Sequence, residues 1–83
     1  MRHYATPRYW GMYRQLAPEI QKLAEENFSI LKQNPRHPSL RLKKVGRTWS
    51  ARVGRGHRAL AVQKDEGLLW FWIGTHSEYD RLI

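Results

Sequence analysis

The chain of 83 residues has no cysteine, which excludes disulfides, thiolate metal sites and cysteine nucleophiles. Long apolar runs are also missing. The longest, Leu68 to Ile73, is six residues, against the roughly 20 that a membrane-spanning helix needs. The opening MRHYATPRYW lacks the apolar stretch of a secretory signal, so the sequence predicts a cytoplasmic protein with no membrane partner. Acid is scarce, with seven Asp and Glu against fifteen Lys and Arg and a net charge of +8. What remains is ordinary for a folded chain: 41% hydrophobic and 27% charged residues, enough for one small domain spanning 1–83.

The excess charge is concentrated. Ten basic residues lie between Asn27 and Lys64, among them Arg41, Lys43, Lys44, Arg52, Arg55 and Arg58, and that stretch contains no acid. Such a segment makes an anion-binding surface, and nucleic acid is its commonest partner; the plain alternative is a solvated basic face that keeps the chain soluble.

Two helices and then strands follow from the local pattern. Thr6-Pro7 suits a helix start, with a hydroxyl cap followed by proline in the first turn, and Trp10, Tyr13 and Leu16 then recur at helical spacing. Pro18-Glu19 opens a second helix whose Ile20, Leu23, Ala24, Phe28 and Leu31 share one face. Asn34-Pro35 ends it, because a residue before proline avoids the helical region. Beyond Ser39 the period changes to two. Leu40 and Leu42 alternate with Arg41 and Lys43 as a first strand, and Thr48–Val53 forms a second with Trp49, Ala51 and Val53 inward. Gly54-Arg55-Gly56 is a hairpin turn into a third strand from His57 to Gln63, and Leu68–Thr75 is a fourth, apolar on both faces. The remainder, from His76, reads as a short polar tail. Trp10, Trp49, Trp70 and Trp72 fall on apolar faces and are expected in the core.

Several strings occur in a familiar order: Leu16-Ala-Pro-Glu-Ile-Gln, Asn34-Pro-Arg-His-Pro-Ser-Leu, Leu42-Lys-Lys-Val, Trp49-Ser-Ala-Arg-Val-Gly, His57-Arg-Ala-Leu-Ala-Val and Trp72-Ile-Gly-Thr-His-Ser-Glu-Tyr-Asp. Together they cover nearly the whole chain, which resembles the RelE/ParE superfamily of toxins from type II toxin–antitoxin systems. The resemblance implies an α+β fold, with an N-terminal strand and a helical hairpin packed on a curved, mostly antiparallel four-stranded sheet. It also implies a cognate acidic antitoxin, and for the RelE branch an mRNA substrate in the ribosomal A site. It leaves three readings open: a ribosome-dependent endoribonuclease, a ParE-like inhibitor of DNA gyrase, or a homologue that binds RNA or antitoxin without toxicity.

Metal-independent RNA cleavage needs one proton taken, one given, and stabilisation of negative charge on phosphorus. Period two sets Arg58 on the face of Leu60 and Val62, an arginine amid apolar positions that calls for a fixed anion, either a phosphate or Glu78 or Asp80. Arg52 should face Arg58 across the hairpin, two cations that repel unless an anion lies between them. Arg41, Lys44 and Arg55 are further candidates for RNA phosphate contacts. Matching the resemblance position by position, Arg58 stabilises phosphate, Lys43 assists catalysis or contacts the backbone, His76 donates a proton to the leaving oxygen, and Tyr79 stacks on a base or assists catalysis. His76 shares the parity of Trp70, Trp72 and Gly74, and an imidazole suits proton transfer near neutrality. One departure stands out. Some relatives use a glutamate base, yet the basic stretch holds no acid, so lysine or neutral histidine would have to take that part. No histidine spacing suggests a metal site, and the chemistry calls for no cofactor.

Overall fold

The computed structural model describes residues 2–82. In chain order these form strand β1 (Arg2–Ala5), helices α1 (Pro7–Arg14) and α2 (Pro18–Gln33), strands β2 (Lys43–Val45), β3 (Thr48–Val53), β4 (His57–Lys64) and β5 (Gly67–Thr75), and helix α3 (His76–Leu82). One sheet holds all five strands in the order β1-β5-β4-β3-β2. β2 through β5 run antiparallel to their neighbours, and β1 joins β5 in parallel. The expected α+β architecture is present, with the N-terminal strand incorporated as a fifth strand at the sheet's edge.

Local chemistry accounts for the helix ends. The Thr6 hydroxyl accepts from the Tyr9 N–H at 3.0 Å, ahead of Pro7 in the first turn of α1. The Gln21 side chain donates to the carbonyls of Tyr13 and Leu16, tying the start of α2 to the end of α1. α1 packs on β5 and α2 on β3. Beneath them lies the main core, built from Ala24, Leu31, Leu40, Ala51, Val53, Ala59, Ala61, Leu68, Trp70 and Ile73. The opposite face of the sheet carries a smaller cluster of Leu60, Trp72 and Tyr79. Among the described residues no helix is long and apolar enough to cross a membrane.

Four local expectations are corrected. Leu40 is not in a strand: Pro38–Leu40 forms a turn of 3-10 helix that drives Leu40 into the core, and β2 begins only at Lys43. Trp10 is 44% exposed rather than buried, and Phe28 is 40% exposed, with the Lys32 ammonium over its ring. The polar tail is a helix. Finally, β4 pairs Leu60 with Trp72 but Ala61 with Trp70, which leaves Phe71 as an extra residue in β5. That bulge reverses parity, so Trp70 lies in the main core while Trp72 lies on the opposite face.

β1 is held by close approach and by one half-buried pair. A Cβ on Gly67 would overlap the main-chain carbonyl of Arg2. Gly67→Ala is therefore expected to push β1 off β5 at a cost of about 1–3 kcal/mol, read by urea unfolding. On β1, His3 Nδ1 accepts from the Trp70 indole N–H at 3.1 Å, which puts the ring hydrogen on Nε2. Burial, with Lys32 pushing the same way, holds His3 below its ordinary value of 6.5. Because the folded value is the lower one, neutral His3 stabilises the fold above pH 6.5, and that contribution is lost as pH falls from there through the folded value. The urea midpoint is expected to decline over this window, and His3→Gln to flatten the decline.

Candidate active site

The face opposite the helices owes its charge to strand register. Lys43 pairs with Ser50, Arg52 with Arg58, and Arg58 with Gly74. Alternation therefore brings Lys43, Ser50, Arg52 and Arg58 to one side of the sheet. A groove of about 640 Å³ opens there, lined by Arg41, Leu42, Lys43, Arg52, Arg55, Arg58 and His76. It holds five cations and an imidazole, and among the described residues no carboxylate lines it.

Arg58 sits at its floor, only 5% exposed. Its Nε donates to the Ser50 hydroxyl at 2.6 Å, and one Nη donates to the Arg41 carbonyl at 3.3 Å. The Tyr79 ring lies 5.1 Å from the guanidinium carbon. No carboxylate pairs with Arg58 among the described residues, so the alternative of an ion pair to Glu78 or Asp80 is not what forms. Glu78 accepts instead from the Thr75 N–H and hydroxyl, and Asp80 meets His76. Burial pulls the Arg58 guanidinium down from its ordinary value; Tyr79 and, more weakly, Asp80 oppose this, while the nearby Arg52 and Arg41 add to it. It nonetheless stays charged at any physiological pH.

Arg41 reaches Arg58 by an unusual backbone. It follows the Pro38–Leu40 turn in the left-handed region, at φ 43° and ψ 45°. A non-glycine residue there costs roughly 1–2 kcal/mol, which the surrounding structure must offset.

His76 is placed by α3 rather than by strand parity. Its main-chain N–H donates to the Gly56 carbonyl at 2.8 Å, anchoring the helix beside the β3–β4 turn. Thr75 and Glu78 cap the helix reciprocally: the Thr75 hydroxyl accepts from the Glu78 N–H, while the Glu78 carboxylate accepts from the Thr75 N–H. Those two donors from Thr75 hold the Glu78 carboxyl below its ordinary value. Gly74 leaves room for this arrangement, since a Cβ there would lie 2.7 Å from the Trp72 ring and 3.0 Å from Glu78 Oε1. One turn along α3, Asp80 Oδ2 lies 3.1 Å from His76 Nδ1, so Nε2 is the nitrogen left free for chemistry.

Of the residues singled out by sequence, Arg41, Lys43, Arg52, Arg55, Arg58 and His76 line the one groove. Two do not. Lys44 pairs with Trp49, which alternation sets on the other side of the sheet from Lys43. Tyr79 is 4% exposed, packed behind Arg58 and against the edge of His76 rather than offered to a base. Sequence reasoning missed Ser50, the Arg41 carbonyl and the pairing of Asp80 with His76. Thr75-x-x-Glu78 was a legible capping signal for α3, and Ser50 shares the parity of Arg52.

In sequence, no family model matches the chain and no curated protein matches it. Solved structures do match in fold. A YoeB/ParE toxin from Agrobacterium tumefaciens superposes at TM-score 0.71 with 15% identity, covering 92% of this chain and 99% of that one. YafQ from E. coli strain BL21(DE3) superposes at 0.74 with 10% identity, covering 94% and 96%. The RelB–RelE antitoxin–toxin complex from Methanococcus jannaschii gives 0.69 with 16% identity, covering 96% and 99%. The chain has the fold of the RelE/ParE toxins.

Proposed function

We propose that this protein is the toxin of a toxin–antitoxin pair and a metal-independent endoribonuclease that cuts mRNA on the ribosome. The observation that carries the reading is the acid-free groove in which five cations surround one orientable imidazole. In the proposed reaction the ribose 2′-oxygen attacks the adjacent phosphorus, its proton passing to a base in the groove. The P–O5′ bond breaks, leaving a 2′,3′-cyclic phosphate and a 5′-hydroxyl. Arg58 and Arg52 stabilise the extra negative charge on phosphorus. His76 Nε2 gives its proton to the departing 5′-oxygen while Asp80 holds the ring through Nδ1. Lys43, on the groove face of β2, is the proposed base and takes the 2′-hydroxyl proton as its neutral amine, becoming an ammonium beside the reacting phosphate. Arg41 and Arg55 hold flanking phosphates. The ribosome supplies the alignment of mRNA that so open a groove lacks.

The same surface suits the second partner. A groove with no acid of its own fits an acidic antitoxin segment that covers the cations and shuts out substrate. Both proposed partners place the protein in the cytoplasm.

Primer extension on programmed ribosomes tests the reading. The purified chain is expected to introduce cuts in the A-site codon, without added metal, and an excess of the cognate antitoxin to abolish them. A folded protein that leaves ribosome-bound mRNA intact would overturn the nuclease assignment, and a gyrase supercoiling assay on the same sample would then separate a ParE-like inhibitor from a non-toxic homologue.

A further inference from the structure

Aromatic side chains aside, Ser50 and Arg58 are the buried polar or charged residues among the described residues, and they hydrogen-bond to each other. Ser50 is wholly inaccessible, with Leu60 opposite it on β4 and Lys43 opposite it on β2. A buried guanidinium ordinarily takes a carboxylate partner, because an uncompensated cation is costly away from water. Here both acceptors, the Ser50 hydroxyl and the Arg41 carbonyl, are neutral. Of the five N–H donors of Arg58, these two acceptors take two, and three have no protein acceptor among the described residues. Two contacts along the planar group fix its orientation without cancelling its charge.

Resting on the nuclease reading above, we propose that Ser50 is a positioning residue: its hydroxyl holds the Arg58 guanidinium in the groove through a neutral contact, so that the full positive charge and three free donors meet the substrate phosphate. A carboxylate at position 50 would hold Arg58 more tightly but would spend its charge inside the protein. An apolar residue would leave the guanidinium fixed at one point only. Serine is also small enough to lie beneath the arginine side chain without displacing it.

A mutant cycle separates positioning from a structural part. Ser50→Ala, Arg58→Lys and the double variant are compared for turnover of ribosome-bound mRNA and for affinity toward an uncleavable 2′-O-methyl RNA hexamer. The Arg58 Nε–H exchange rate is followed by NMR in the wild type and Ser50→Ala. Ser50→Ala is expected to lower kcat by about tenfold to a hundredfold through misplaced charge, with a much smaller change in KM. It is also expected to weaken hexamer binding and to speed Nε–H exchange. In the Arg58→Lys background, which lacks the Nε–H that Ser50 receives, adding Ser50→Ala is expected to change neither kcat nor affinity by more than about twofold. Equal effects in both backgrounds, or a Ser50→Ala protein with unchanged kcat, would overturn the proposal. If the wild type does not cleave, the nuclease reading fails by itself. The hexamer cycle and the Nε–H exchange then decide whether Ser50 positions Arg58 for an RNA phosphate.

Discussion

Arg58→Ala is expected to reduce cleavage of ribosome-bound mRNA by about 10²–10³, the loss that follows removal of a preorganised group stabilising transition-state charge. Two facts make it the most damaging single change in the groove. Arg58 is the cation seated on the floor, where little water screens it, and it is the one whose orientation is fixed by two hydrogen bonds. Arg52, directly opposite on β3, donates to the Gly54 carbonyl at 2.8 Å and supplements that charge without occupying the same place. The fold should survive. Truncation leaves the Ser50 hydroxyl unsatisfied, at about 1–3 kcal/mol, but it also removes a buried cation that had no anionic partner. Circular dichroism and urea unfolding therefore accompany the cleavage assay. Full activity in a folded Arg58→Ala protein would mean that this groove is not where RNA is cut.

His76→Ala is expected to cost about 10²–10⁴ in the same assay, the range for loss of a general acid, with almost no change in stability. The imidazole is exposed, and its contact with Asp80 is a surface pair worth at most about 1 kcal/mol. The main-chain bond from residue 76 to Gly56 that seats α3 does not involve the side chain. A substrate whose 5′-oxygen is replaced by sulfur makes the role specific. Its leaving group departs without a proton, so the deficit of His76→Ala should largely disappear, whereas that of Arg58→Ala should persist. A deficit equally large on both substrates would assign His76 to binding rather than proton transfer.

Much of this site could be read from the chain before its fold was known, because it depends on short-range rules. A hairpin closed by Gly54-Arg55-Gly56 leaves little choice but to set Arg52 against Arg58, and alternation then carries Lys43 to the same face. Proline at positions 7, 18 and 35 marks helix boundaries through its missing N–H and its steric demand on the preceding residue. Less legible were features decided by distant contacts. Arg2–Ala5 is too short and mixed to show a strand period, and it becomes one only because β5 offers a bare edge at Gly67. Leu40 keeps a two-residue alternation with Leu42, yet the core takes it through a 3-10 turn. The bulge at Phe71 leaves no mark in a run apolar on both faces, so Trp70 and Trp72 appear to share a side that they do not share. Ser50 carried no signal of its own, since a lone serine in a strand gains meaning only when an arginine lies across it.

β5, an inner strand of the sheet, is made after all the strands it joins. β5 lies between β1 and β4, so β1 has nothing to pair with until residues 67–75 exist. His76, which lines the groove, and Tyr79, which backs Arg58, come later still. A nascent chain therefore carries its groove arginines before the site around them is finished. The groove is assembled only once residues 76–79 have been added behind β5, so a chain cut short before them would carry the cations without the imidazole.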